Sequence, residues 1–205
     1  MQTGIMGGTF NPPHKGHINA ALAAKEALSL DRIIFIPAGI PPHKKLAEDS
    51  ANSEERLQMT RLVAESVGAT VSDIEIRREG KSYTVDTLRE LKRSMSDDTL
   101  WLIMGTDMFL SIETWREPEE IFRLAHLAVI PRADGDVREL IRHGEMLRDK
   151  YGANVKVVDA QAVTISSTEL RAEFAKGIKP ELLTDSVYRY IMNKKLYGVC
   201  GSDEI

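Results

Sequence analysis

The sequence predicts an α/β fold: a doubly wound, mainly parallel sheet with helices on both faces and a small helical part at the C-terminus. Three observations predict it. Short β-branched or apolar runs alternate with longer stretches of helical period along the first 160 residues, the pattern of strands joined by crossover helices. The runs "IIFI" at 33–36 and "LWLIM" at 100–104 are apolar without a break, as central strands covered on both faces must be. Beyond Ser166 only helical patterns remain.

The elements follow in order. "TGIMGG" (3–8) is a first strand that ends in glycines, and "HINAALAAKEAL" (17–28) has helical period. "RIIFIPA" (32–38) is the second strand. It is followed by the segment 37–55, where Pro, Gly and charge displace apolar residues and a mobile loop is expected. "SEERLQMTRLVAESV" (53–67) is a helix, "VSDIEIRR" (71–78) is strand-sized, and "TVDTLRELKRS" (84–94) is again helical. "TLWLIMG" (99–105), "HLAVIP" (126–131) and "VKVV" (155–158) supply three more strands. The helix "VRELIRHGEMLRDKYG" (137–152) closes on Gly152, the residue type that best accepts a left-handed helix end. "STELRAEFAKG" (167–177) and "DSVYRYIMNKKLYG" (185–198) form the C-terminal helical part, about 166–198, which packs on the sheet or caps it.

Composition narrows the function. With 205 residues and 42% hydrophobic content, the chain is long enough for one domain, 1–205, with a sizeable core. A net charge of -4 gives no general attraction to nucleic acid or to an anionic membrane surface, so neither is expected as a partner. A single cysteine, Cys200, excludes an intrachain disulfide and any multi-cysteine metal site, and it fits a reducing, cytoplasmic location. No run approaches the roughly 20 apolar residues needed to span a bilayer. The amphipathic helices serve an intrachain core or a partner surface equally well, so a homo-oligomer is neither required nor excluded.

One stretch stands apart from the core pattern. "GGTFNPPHKGH" (7–17) lies where the first strand gives way to the first helix, and in a doubly wound sheet the carboxyl ends of strands are where ligands bind. Gly7 and Gly8 remove side chains where the backbone leaves the strand, so a ligand can approach its N–H groups. A helix beginning near His14 to Gly16 adds free amides and the positive end of its dipole, an anion site even in an acidic protein. His14 and His17, three apart, project on the same side of that helix and can address one phosphate chain. Neither G-x-x-x-x-G-K-[ST] nor G-x-G-x-x-G occurs, so the two familiar phosphate loops are absent. "ISSTELR" (165–171) is the second such stretch. Ser166 and Glu169 have capping-box spacing, Ser167 and Thr168 offer hydroxyls in the first turn, and Arg171 lies one turn on. A guanidinium beside a helix N-terminus suits a leaving pyrophosphate.

These two stretches resemble the signatures G-x-F-x-P-x-H-x-G-H and I-S-S-T-x-x-R of the nucleotidylyltransferase superfamily. "PPHK" (41–44), "GKSYTVDTL" (80–88) and "GTDMFLSIETW" (105–115), in that order, make the chain similar to its bacterial nicotinate-nucleotide adenylyltransferase branch, from residue 4 to about 198. The resemblance implies a Rossmann-like sheet and transfer of the adenylyl group of ATP to nicotinate mononucleotide, with pyrophosphate as the second product. It implies that His14, His17 and Arg171 are the catalytic residues, His17 closest to the reacting α-phosphate. Gly8, Thr9 and Phe10 are expected to line the nucleotide through the backbone, Ser167 and Thr168 with Arg171 to hold the β- and γ-phosphates, Gly105 and Asp107 to meet the adenosine, and Arg132 to lie near the adenine. Mg²⁺ is expected on the ATP phosphates rather than on protein ligands, since no carboxylate cage is visible.

The second substrate is read from three positions. Thr84 is expected to cap the helix 84–94, whose free amides then present only donors, which suits the carboxylate of nicotinate and not the amide of nicotinamide. Asp86, in the same turn, counts against a carboxylate unless turned away. Trp115 is similar in position to the aromatic residue that stacks on the pyridine ring in the family, and Lys44 can neutralise the mononucleotide phosphate. Where members often carry a tyrosine after that tryptophan, this chain has Arg116. Three other readings stand beside this one: transfer to another acceptor such as nicotinamide mononucleotide or phosphopantetheine, a silent nucleotide-binding regulator, and a zinc hydrolase using His14, His17 and His43. The last lacks H-E-x-x-H and any accompanying carboxylate cluster.

Overall fold

The computed structural model describes residues 1–41, 50–160 and 166–199. Its strands are β1 (Gln2–Gly8), β2 (Arg32–Pro37), β3 (Thr70–Val71), β4 (Thr99–Gly105), β5 (His126–Ile130) and β6 (Val155–Val157). They form one six-stranded sheet in the order β3-β2-β1-β4-β5-β6, every neighbouring pair parallel. This is the doubly wound order, with its switch point between β1 and β4. The helices are α1 (Lys15–Ala27), α2 (Ser53–Ser66), α3 (Ile74–Arg77), α4 (Thr84–Ser94), α5 (Thr106–Leu110), α6 (Pro118–Leu124), α7 (Val137–Tyr151), α8 (Ser167–Ala175) and α9 (Asp185–Lys194).

The strands distribute their side chains by a period of two. Met6, Ile33, Phe35, Ile103, Ala128 and Ile130 enter one core layer with α1, α2, α8 and α9. Ile5, Ile34, Ile36, Leu102, Met104, Leu127 and Val129 enter the other with α4, α5, α6 and α7. Burial on both faces explains the uninterrupted apolar runs. The middle of the sheet also needs a glycine. A Cβ on Gly4 of β1 would lie 2.7 Å from Leu30 Cδ1 and 3.0 Å from Ile103 Cδ1. In α4 the N-cap residue Tyr83 makes no side-chain cap bond. Val85, Leu88 and Leu91 are fully buried, at about 1.5–3 kcal/mol each, so packing rather than capping holds this helix.

The structure departs from the sequence reading in three places. The segment 71–78 contributes only Val71 to a strand and then turns into α3, because pairing with β2 ends at Phe35↔Val71. The motif 105–115 contains α5, and α6 follows it; both are too short for a periodic pattern to register. Ser53–Glu55 open α2 rather than belonging to the loop. Of the two placements expected for the C-terminal helices, the structure has the one packed on the sheet. Leu170, Phe174, Val187 and Ile191 join the core layer of β1 and β2. Of the expected mobile segment 37–55, residues 42–49 lie outside the described residues. No described helix is long and apolar enough to cross a membrane.

Candidate active site

The carboxyl edge of the sheet gathers the two signature stretches. β1 ends at Gly8, β2 at Pro37, β4 at Gly105 and β5 at Ile130, so the stretches 9–14, 38–41, 106–110 and 131–136 all emerge on that edge. Helices that return from this edge begin there, which brings the starts of α1, α4 and α8 to it.

The loop after β1 is built on Phe10. Its backbone takes φ 49, the left-handed region, and its ring is buried against Phe35 at 5.7 Å and edge-on to His17 at 4.9 Å. Gly8 is required by that ring, since a Cβ there would lie 3.1 Å from Phe10 Cζ. Gly7 faces open space. Asn11 was not singled out in the sequence, yet it pins the loop. Its amide donates to Ser50 Oγ (2.9 Å), and its Oδ1 accepts from the Tyr197 hydroxyl (2.7 Å) and the Ala51 N–H (3.2 Å).

His14 is the N-cap of α1 and is 6% exposed, and its ring lies 3.8 Å from that of His17, centroid to centroid. His17 Nδ1 accepts the His14 backbone N–H at 3.1 Å, which fixes the tautomer: the proton sits on Nε2, leaving it as the donor. Burial lowers the His14 pKa to about 4. Burial, then the charge of His14, lowers that of His17. Both rings are therefore neutral near pH 7, and each ring N–H acts as a dipole rather than a cation. Among the described residues His14 Nδ1 is buried with no partner.

The lowered pKa makes folding sensitive to acid. An unfolded His14 takes up a proton near pH 6.5 while the folded one resists it to about 4, so stability is present above that window and lost as pH falls through it. Between pH 7 and pH 5 the wild type should lose about 2 kcal/mol of unfolding free energy through this group. Urea titrations at the two pH values, repeated on His14→Gln, measure it. An equal loss in both proteins would show that His14 is not the source.

The second signature meets the first directly. Ser166 caps α8, accepting the Glu169 N–H (3.3 Å), while Glu169 Oε2 accepts the Ser166 N–H (2.7 Å), the capping box its spacing predicts. Ser167 Oγ donates to Pro12 O (2.9 Å), and Arg171 Nη1 donates to Asn11 O (2.8 Å) and Ser167 O (3.2 Å). Arg171 Nη2 reaches Thr168 Oγ1 at 3.4 Å. Two helix starts, α1 and α8, thus converge on the Asn11–Pro12 backbone, with Arg171 between them.

On the other side of β1, Gly105 is the N-cap of α5, and the Asp107 carboxylate accepts from Arg132 Nη1 at 2.6 Å, both side chains being exposed. Thr106 and Asp136, absent from the sequence reading, shape the Arg132 turn. Thr106 Oγ1 donates to Asp136 Oδ2 (2.8 Å), and the Arg132 and Ala133 N–H groups donate to Asp136 Oδ2, both at 3.2 Å. These bonds hold the Asp136 carboxyl below its ordinary range, the Thr106 hydroxyl contributing most.

Thr84 is the first residue of α4 and Tyr83 its N-cap, so the expected cap is displaced by one position. Trp115 ends a 3₁₀ turn (Ile112–Thr114), half-buried on the same core layer as Tyr83. Arg116 joins the two: its guanidinium lies 4.8 Å over the Tyr83 ring, and it pairs with Asp86 at 3.7 Å. Arg89 also approaches Asp86, at 3.5 Å. The acid that seemed to repel a carboxylate is therefore held by two arginines. Lys44 lies outside the described residues.

Comparisons with known proteins agree with this geometry. The cytidylyltransferase-like family matches residues 5–173. A probable nicotinate-nucleotide adenylyltransferase of Citrifermentans bemidjiense is 40% identical, covering 96% of this chain and 98% of its own; one from Synechococcus is also 40% identical, covering 95% and 93%. The structure titled Plasmodium falciparum nicotinic acid mononucleotide adenylyltransferase complexed with NaAD has the same fold, with a TM-score of 0.77 at 17% identity over 97% of this chain and 98% of that one. With both signatures meeting at one edge of a doubly wound sheet and relatives alike over nearly their whole length, the chain belongs to the nicotinate-nucleotide adenylyltransferases of the cytidylyltransferase-like family.

Proposed function

We propose that this chain transfers the adenylyl group of ATP to nicotinate mononucleotide, forming nicotinate adenine dinucleotide and pyrophosphate. The observation that carries the reading is the convergence of the α1 and α8 starts on the Asn11–Pro12 backbone, with His14, His17 and Arg171 around it. The mononucleotide's phosphate oxygen attacks the ATP α-phosphorus, the bond to the bridging oxygen breaks, and pyrophosphate leaves with the electron pair. No protein nucleophile is needed, so positioning and charge stabilisation carry the rate. His17, neutral with Nε2 as donor, serves the α-phosphate; His14, Ser167, Thr168, Arg171 and the α8 amides serve the leaving β,γ-phosphates. The backbone of Gly8, Thr9 and Phe10 lines the nucleotide, and Gly105, Asp107 and Arg132 serve the adenosine.

The His14, His17, Ser167, Thr168 and Arg171 side chains offer N–H and O–H donors, which fit phosphate oxygens. Among the described residues no three His, Cys, Asp or Glu side chains are grouped to hold a metal. Mg²⁺ would enter as the counterion of ATP, coordinated by phosphate and water.

Thr84 and Trp115 take the nicotinate ring, and Lys44 its phosphate. The α4 start presents donors without an opposing free acid, because Arg116 and Arg89 engage Asp86. Initial-rate pyrophosphate release with ATP and Mg²⁺ tests the reading. Nicotinate mononucleotide should exceed nicotinamide mononucleotide by at least about 10²-fold in kcat/KM, with phosphopantetheine silent. Equal rates for the two pyridine nucleotides would remove the donor-only site, and silence with all three alongside tight ATP binding would favour a regulator.

A further inference from the structure

Arg56 of α2 is 1% exposed, and no carboxylate pairs with it among the described residues. Its guanidinium spends its donors on backbone carbonyls of two different loops. Nη1 donates to Thr9 O (2.9 Å), after β1, and to Ala38 O (2.6 Å), after β2; Nη2 donates to Gly39 O (3.1 Å). Burying an unpaired cation costs several kcal/mol, and an apolar side chain of similar size is normally the cheaper core residue. A charged fork here therefore needs a reason beyond filling space.

The reason lies in what the two loops carry. The Thr9 loop leads into His14 and His17. The Ala38–Gly39 loop leads toward "PPHK" (41–44). The second loop is clamped from its other side as well. The Gly39 N–H donates to Ser82 Oγ (3.1 Å), the Ser82 N–H donates to Ile40 O (2.8 Å), and Ile40 bridges Lys81. Ser82 in turn hydrogen-bonds the buried Glu75, whose carboxyl burial pushes up. A Cβ on Gly39 would lie 2.2 Å from Glu75 O, so the loop has no room to shift toward α3. Gly39 is held between Arg56 on one side and the Ser82–Glu75 pair on the other.

We propose that Arg56 is a positioning residue that sets the spacing between the ATP loop and the mononucleotide loop, so that the two phosphates meet in line. The inference rests on the adenylyl-transfer reading. Each substrate binds its own loop, so loosening the spacing should leave both KM values within about 3-fold and lower kcat, since misplacement of about 1 Å costs on the order of 10²-fold.

The test uses Arg56→Lys, which keeps the charge but loses the fork, and Ser82→Ala, which removes the opposing clamp at one hydrogen bond. The wild type is first shown to turn over nicotinate mononucleotide, which separates failure of the reaction assignment from failure of this one. Arg56→Lys should lower kcat by about 10²-fold and Ser82→Ala by about 10-fold, per folded molecule and with small KM changes. A purely structural Arg56 would lower the Tm and leave kcat per folded molecule unchanged, and wild-type kcat in folded Arg56→Lys would overturn the proposal. If Arg56→Lys does not fold, Ser82→Ala decides alone: a kcat loss supports the spacing role, and an unchanged kcat overturns it.

Discussion

His17→Ala should lower kcat by about 10²- to 10³-fold while leaving the fold intact. The ring is not a core anchor: it is partly exposed and leans on Phe10 and His14. Its Nδ1 is occupied by the His14 N–H, so Nε2 is the only nitrogen left to address a phosphate. A neutral donor held in this way suits charge that develops during transfer better than charge already present in bound ATP. The loss should therefore appear in kcat, with the KM for ATP changed little. Near-normal kcat in a folded variant would remove His17 from the reacting centre. His17→Asn, which can still present an N–H, should recover part of the loss.

Arg171→Ala should lower kcat/KM for ATP by about 10²-fold. The guanidinium is placed mainly through Nη1, which donates to Asn11 O and Ser167 O; Nη2 makes only the long contact to Thr168 Oγ1 at 3.4 Å, and its second N–H and Nε can serve phosphate oxygens. Arg171→Lys should recover only a small part, because a point-like ammonium lacks the planar fork that can bond the Asn11 and Ser167 carbonyls from one nitrogen and a phosphate from the others. Pyrophosphate release at varied ATP, with circular dichroism to confirm folding, measures both. A loss confined to the KM of the mononucleotide would place Arg171 on the wrong substrate.

Much of the site was legible because it consists of local features. Gly8, His14, His17 and the Ser166–Glu169 capping box are close in sequence, and helix geometry alone brings His14 to His17 and Ser166 to Glu169. Gly8 was read as access for a ligand, whereas the structure adds a packing reason, the Phe10 ring beneath it. Thr84 is the first residue of α4 and not its cap, because Tyr83 caps the helix by backbone conformation, with no side-chain bond to signal it. "VSDIEIRR" was read as a full strand since a short run of mixed polarity fits either period. The structure ends the strand after Val71, where pairing with β2 stops.

The alternation of strands and helices and the helix starts of the two signature stretches can be read from the chain, because they depend on neighbours within a few positions. Only the tertiary structure decided the contacts with long sequence separation. Tyr197 reaches Asn11 across 186 residues, and Arg171 reaches Asn11 across 160. Arg56 grips two loops from a third element, and Arg116 turns Asp86 from an obstacle into an ion pair. No local periodicity encodes such pairs, because each is fixed by how separate helices pack on the two faces of one sheet.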